Sequence, residues 1–343
     1  MSTAPTDKKP SAAVSRRSAL KLGALKLGTM GLAAPTVLTT LGTAVAHAET
    51  EMLDTRMPSV YRGKLGGFEI TTLLDGLIIA PDLYPTFGQN AEEAPVRQLL
   101  QDNFLPPKQS AFYFTPVVVN TGKELVLFDT GNGGDTGRRP KAGLLEGRLV
   151  AAGFAPEDIT VVVLTHMHPD HIGGLLEEGQ ATFPNARYVT AAAEYDFWSP
   201  AERASGPTER VGKLVQSHVV PFAEKMSFVN DGDGVVGGIT AVDTSGHTPG
   251  HMAYMIESDG KSFMLFADAT NHYVASLQRP DWHVRFDMDK EKAVASRKKL
   301  LGMLADMKIP ATGYHMPFPA VGYVERAAGS YRWVPASYQL FAD

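Results

Sequence analysis

Cysteine is absent from this chain of 343 residues. Its absence excludes a disulfide framework, a thiolate metal site and a cysteine nucleophile, so any metal must be held by nitrogen and oxygen alone. An excess of positive charge is absent too. The chain has 32 Lys and Arg against 37 Asp and Glu, a formal net charge of −5, and so lacks the basic stripe that a nucleic-acid partner demands. Also missing is an apolar run of the roughly 20 residues needed to span a membrane as a helix. The weakly apolar stretch near the N-terminus is interrupted by Lys26, Gly28, Gly31 and Pro35. With 44% hydrophobic and 20% charged residues, the composition is that of an ordinary soluble globular protein.

What is present is concentrated in one run. Thr165-His166-Met167-His168-Pro169-Asp170-His171 packs three imidazoles and a carboxylate directly behind the apolar Val161-Val162-Val163-Leu164. Desolvating clustered histidines and an acid beside a buried strand is costly unless a cation pairs them, which argues for metal ligands over a chance surface loop. Nitrogen and oxygen donors of this kind suit Zn²⁺, with iron, manganese, cobalt and nickel as other occupants. Three more donors follow, each where an apolar run stops: His247 in Gly246-His247-Thr248-Pro249-Gly250-His251, Asp268 after Phe263 to Ala267, and His315 in Gly313-Tyr314-His315. The set is large enough for two metals.

These residues fill the pattern H-x-H-x-D-H, then a distant His, an Asp and a final His, and the chain resembles the metallo-β-lactamase superfamily of hydrolases. The resemblance implies an α/β fold, the αβ/βα four-layer sandwich. It also implies that His166, His168 and His247 hold one metal, that Asp170, His171 and His315 hold the other, and that Asp268 bridges them. Asp129, in Asp129-Thr130-Gly131, takes the role of a carboxylate that orients a metal-bound imidazole. His251 is a candidate buttress of the site. Two divalent ions, zinc first, share one water and bring its pKa toward 7 from 15.7 in bulk, so the expected nucleophile is a bridging hydroxide. Asp170 or Asp268 is then the candidate to move a proton to the leaving group.

Along the chain, alternation predicts a strand over Phe68 to Leu74 and a hairpin from Pro116 to Asn120 and Leu125 to Phe128. Helical spacing runs from Leu144 to Ala152, Ala191 to Trp198 and Lys290 to Met307, with strands at Ile159 to Leu164, Arg187 to Thr190 and Met264 to Phe266. Gly173-Gly174 is expected to give a tight exit into a helix. The polar stretch Ser199 to Gln216 reads as a lid, an insertion or an idle loop. Residues 1–48 read as a twin-arginine signal, with Ser15-Arg16-Arg17-Ser18-Ala19-Leu20-Lys21 and a terminal Ala46-His47-Ala48. Residues 49–343 then form one hydrolase domain without a membrane span, exported by the twin-arginine machinery to the periplasm or beyond. The apolar arm with Met52, Met57, Val60 and Tyr61 either covers a homodimer interface or packs on its own sheet.

Several stretches are similar to the methyl parathion hydrolase-like group and its lactonase relatives: Phe183-Pro184-Asn185-Ala186, Asp196-Phe197-Trp198, the Asn271 to Lys299 region and Tyr331-Arg332-Trp333-Val334-Pro335. The resemblance puts Trp198 in a leaving-group pocket. Asn271 stands where quorum-quenching lactonases usually place a Tyr, with His272 and Tyr273 following, and these three are the other expected pocket residues. The Gly-rich loop Asn132 to Pro140 stands where the organophosphate hydrolase has a Phe. The expected activity is hydrolysis of lactones or activated esters, the substrate being a small molecule. The alternatives are a phosphotriesterase, a thioester hydrolase of glyoxalase II type, a β-lactamase, or a secreted metal-binding protein without turnover.

Overall fold

The computed structural model describes residues 57–336, and the signal expected at residues 1–48 lies outside them. Two seven-stranded sheets form the body. The first runs in the spatial order Val60–Leu65, Phe68–Leu73, Val117–Asn120, Leu125–Phe128, Val161–Val163, Arg187–Ala191, Met226–Val229. Its last four strands are parallel, and the earlier pairs are antiparallel. The second runs Gly234–Val236, Ile239–Asp243, Met252–Ser258, Lys261–Leu265, Ala311–Thr312, Val321–Ala327, Ser330–Pro335.

The two-residue period of a strand sorts the side chains into layers. Val117, Val119, Val126, Phe128, Val161 and Val163 face the core between the sheets, where they meet Ile239, Ala241, Tyr254, Ile256, Phe263 and Leu265. Their neighbours Val118, Leu127 and Val162 point the other way, under Leu145, Leu149, Trp198 and Val215 of the outer helices. Such double burial explains why Val161 to Leu164 reads as an unbroken apolar run, as parallel strands covered on both faces do. On the far side, Leu300, Leu301 and Leu304 of helix Lys290–Met307 cover Ala253, Met264 and Phe266. Helix, sheet, sheet, helix is the four-layer α/β sandwich.

Two local expectations need correction. Gly173-Gly174 leads into a 3-10 turn, Gly173–Leu175, and then a small hairpin of Leu176–Glu177 with Gln180–Ala181, not a helix. Ser199 to Gln216 is no loop: after two 3-10 turns it forms most of helix Glu209–His218, whose Val215 is buried. Val60 and Tyr61 pack against the sheet core, while Met57 is exposed. Met52 is outside the described residues.

Candidate metal centre and its cavity

All the chemistry-bearing loops leave the C-terminal ends of strands, where α/β sheets place their sites. Strand Val161–Val163 delivers Thr165 to His171, with His168 at the N-cap of the one-turn helix Pro169–Ile172. Strands Ile239–Asp243, Lys261–Leu265 and Ala311–Thr312 lead to His247, Asp268 and His315. The two halves share a backbone device. Asp129 after Leu125–Phe128 and Ala267 after Lys261–Leu265 both have positive φ, 61° and 43°, a strained conformation for residues with a Cβ that is tolerated where a site requires it.

The donor atoms converge. Those of His166, His168 and His247 lie within 4.8 Å of one another, as do those of Asp170, His171 and His315, and a third group joins His166, His171 and Asp268. The first two groups coincide with the ligand sets that the sequence resemblance implies. In four of the five rings the second nitrogen is tied elsewhere. His171 Nδ1 is 2.8 Å from Asp129 Oδ2, His247 Nδ1 is 2.9 Å from Asp287 Oδ1, and His315 Nδ1 is 2.7 Å from the Tyr113 carbonyl. All three partners only accept, so Nδ1 carries a proton and Nε2 is the atom turned to the floor. His166 follows by one more step. The Thr165 hydroxyl donates to Asp129 Oδ2 at 2.8 Å, so at 3.2 Å it accepts from His166 Nδ1, leaving Nε2 bare.

Ring nitrogens crowd together at the floor. His168 Nδ1 lies 3.0 Å from both His166 Nε2 and His247 Nε2, and His171 Nε2 and Asp268 Oδ1 are buried without a hydrogen-bond partner. Electrostatics agrees. Burial and the neighbouring His171 and His168 hold the His166 pKa well below the usual range, and burial with His247 takes His168 to about 3. The Asp268 carboxyl, which burial would raise, is held well below its ordinary range by His315 and His171. Against burial, Asp129 and Asp268 raise the pKa of His171 well above the usual range and Asp268 raises that of His315, so carboxylates draw positive charge onto this half of the floor, which divalent cations would supply in place of protons, and the donor set fits two of them.

A ring of fixed groups supports the donors. His251 Nε2 accepts the Asp268 backbone N–H at 3.1 Å while its Nδ1 faces the Thr244 hydroxyl at 2.9 Å, so His251 sets the position of Asp268 and adds no metal donor. Three supports were not read from the sequence. Asp287 pairs with the buried Arg297 at 2.7 Å, and Arg297 donates further to the carbonyls of Ala269, Pro280 and Trp282. Buried Glu194 accepts from the backbones of Met167 and Gly250, both at 2.9 Å, clamping the two histidine loops together. Asp75 accepts from Asn132, Gly143, Leu144 and Leu145, pinning the Gly-rich loop. That loop presses so close that a Cβ on Gly133 (φ 58°) would lie 2.1 Å from the Gly173 carbonyl oxygen. No regular spacing marks any of these supports. The only hint was that Glu194 stands four residues before Trp198 on one helical face.

Above the donors lies a cavity of about 400 Å³, lined by Ile78, Phe112, Phe114, Val211 and Phe286 among apolar residues and by His168, Asp170, His247, Asp268 and His315 at its floor. Asn271 lines it as expected. Its Nδ2 donates to Asp268 Oδ2 at 2.9 Å, and its Oδ1 is buried without a partner. The other three expected pocket residues are elsewhere. Trp198 is 2% exposed in the outer-helix core with Nε1 donating to Glu194 at 3.0 Å, because its helix turns that face onto the sheet. His272 Nδ1 accepts from Val274 and Ala275, capping helix Ala275–Gln278, and Tyr273 stacks on its ring and packs into the core. Missed were Arg138, Arg210 and Arg285, which also line the cavity.

Comparison with known proteins agrees with this geometry. The metallo-beta-lactamase superfamily profile matches residues 115–312, more than half of the chain, and the protein belongs to that superfamily. Among curated relatives, the N-acyl homoserine lactonase AttM of Agrobacterium fabrum is 28% identical over 132 residues, 36% of this chain and 45% of that protein. An N-acyl homoserine lactonase of a Bacillus species is 26% identical over 152 residues, 44% of this chain and 54% of that one. The chain thus spans about half the length of the curated relatives it matches. Solved structures align more fully. AidC, a dizinc quorum-quenching lactonase solved with the product N-hexanoyl-L-homoserine, is 30% identical with a TM-score of 0.75 over 82% of this chain and 98% of its own. The hydrolase AbOPH of the β-lactamase superfamily is 28% identical with a TM-score of 0.76 over 83% and 100%.

Proposed function

We propose that this protein is a dinuclear metal hydrolase that opens lactones or cleaves activated esters. The observation that carries the reading is the convergence of five imidazoles and two ionised carboxylates, most of them held from behind, on the floor of a largely apolar cavity. His166, His168 and His247 would hold one divalent ion and Asp170, His171 and His315 the other, with Asp268 between them. Nitrogen and oxygen donors without sulfur favour zinc, with iron, manganese and cobalt as alternatives. When bound, such ions activate water and polarise the substrate's carbonyl oxygen.

The chain's own residues supply the rest. The aromatic and aliphatic walls exclude water and take the acyl group. Asn271 lines the cavity beside Asp268. Its Nδ2 holds Asp268 Oδ2 in place. Asp170 and Asp268 are the two carboxylates that reach the cavity, and the proton for the leaving oxygen passes through this pair. AttM and the Bacillus relative are N-acyl homoserine lactonases and AidC was solved with the product of such a lactone, which supports a lactone as substrate. The test is hydrolysis by the zinc-loaded protein of lactones of graded chain length, p-nitrophenyl esters and methyl paraoxon. Lactone opening that disappears in Asp268→Asn supports the reading, whereas turnover of the phosphotriester alone would replace it.

Export rests on Ser15 to Lys21. Replacing Arg16 and Arg17 with Lys should leave the protein in the cytoplasm, and unchanged export in that variant would refute a twin-arginine route.

A further inference from the structure

The chain carries a net charge of −5, yet its cavity is cationic. Apart from Asp170 and Asp268 in the metal floor, every charged side chain lining it is an arginine: Arg138, Arg210 and Arg285. They come from three separate elements, the Gly-rich loop, helix Glu209–His218 and the segment before helix Lys290–Met307.

The three are not alike. Arg138 is anchored: it donates to Asn132 Oδ1 at 2.5 Å, lies over the Phe114 ring at 5.0 Å and sits 3.9 Å from Asp170. Arg210 and Arg285 are exposed, and among the described residues neither has a carboxylate within 4.0 Å. Arg285 only lies over the Phe286 ring, at 4.9 Å. Of the other exposed arginines, Arg139, Arg326 and Arg332 pair with Glu177, Asp306 and Glu325, while Arg62 and Arg279 donate to the carbonyls of Ala152 and Gln278; among the described residues the Arg210 and Arg285 guanidiniums have neither kind of partner. Two guanidiniums without counter-charges at the mouth of an apolar-walled cleft are an anion receptor, because low-dielectric walls focus their field and the planar fork matches a carboxylate.

We propose that the cavity is built for esters or lactones whose acyl group ends in a carboxylate, received by Arg210 and Arg285 while the scissile bond lies over the metal floor. The proposal rests on the hydrolase reading and narrows its substrate class. An uncharged acyl chain would satisfy the apolar walls but leave both guanidiniums unpaired.

The test compares two p-nitrophenyl esters of similar length, the hexanoate and the monoester of adipic acid, with the metal-loaded protein. The account expects kcat/KM to favour the anionic ester by about tenfold or more, carried mainly in KM. That preference should shrink as salt screens the guanidiniums, and the anionic-to-neutral ratio should fall at least tenfold in Arg210→Gln/Arg285→Gln. Equal turnover of the two esters, or a ratio unchanged in the variant, overturns the proposal. Calorimetry with glutarate and butyrate supplies a readout without turnover, since both offer one carboxylate to the metals and only glutarate offers a second. If no ester is hydrolysed but glutarate binds about tenfold tighter and loses that advantage in the variant, the hydrolase reading falls and the anion receptor stands. Equal binding of the two acids overturns the receptor as well.

Discussion

The floor and the mouth of the cavity are built on opposite principles. At the floor most donors are held from behind: His166 by the Thr165 hydroxyl, His171 by Asp129, His247 by Asp287, His315 by the Tyr113 carbonyl, Asp268 by His251 and Asn271. At the mouth, Arg210 and Arg285 reach into the cleft without any such tether. Fixed donors are what chemistry needs, because a displacement near 1 Å costs about 10²-fold in rate. Long, tethered-at-one-end cations can select a charge at a distance and be replaced without disturbing the fold. The difference teaches that this scaffold keeps reaction and selection in separate parts of one cavity.

The largest effect expected of the floor is chemical. Asp268→Asn should lower kcat/KM for any substrate by at least about 10³-fold while the circular dichroism spectrum stays native. Next comes the buried support. Asp287→Ala leaves Arg297 charged, buried and unpaired and His247 Nδ1 without an acceptor, so denaturant unfolding should show a loss of about 3–5 kcal/mol. A loss below about 1 kcal/mol would show that this part of the floor is not rigidly held.

His272, buried outside the cavity lining, adds a test by pH. Burial takes its pKa to about 4, so it is neutral in the folded chain while the unfolded chain binds a proton near 6.5. The unfolded state therefore holds more protons between those values, and stability falls as the pH drops from about 6.5 to about 4. That depressed pKa corresponds to an order of 3 kcal/mol. In His272→Asn the acid limb of a stability–pH curve should be flatter by about that amount. The smallest effect belongs to the mouth: Arg210→Gln should change unfolding free energy by no more than about 0.5 kcal/mol. A larger loss would mean that the mouth is structural too.

The same contrast decides what was legible in the sequence. Metal donors are rare residue types at fixed spacings behind apolar runs, so His166 to His171, His247, Asp268 and His315 stand out on spacing and residue type. The sandwich is legible where strands are buried on both faces, as in Val161 to Val163. Glu194 and Asp75 act on backbone N–H groups, and Asp287 on the His247 and Arg297 side chains, ten or more residues away in sequence, and a lone acid carries no mark of such a role. The cavity wall is harder still. Trp198 and Tyr273 are aromatic near the right loops, but which face their helix or turn presents is set by packing, and both face the core. Arg210 sits in a stretch whose Pro and Gly suggested a loop, yet only Gly206 and Pro207 are in the turn, and Glu209 onward is helical with Val215 buried.

The floor is built as a site for two divalent ions. The most direct measurement is the metal content of the purified protein by mass spectrometry after equilibration with zinc and removal of free ion, beside His166→Ala and His171→Ala. The account predicts about two equivalents per chain, falling to one or fewer in either variant. A content near zero in the unaltered protein, or the same content in all three, would contradict it.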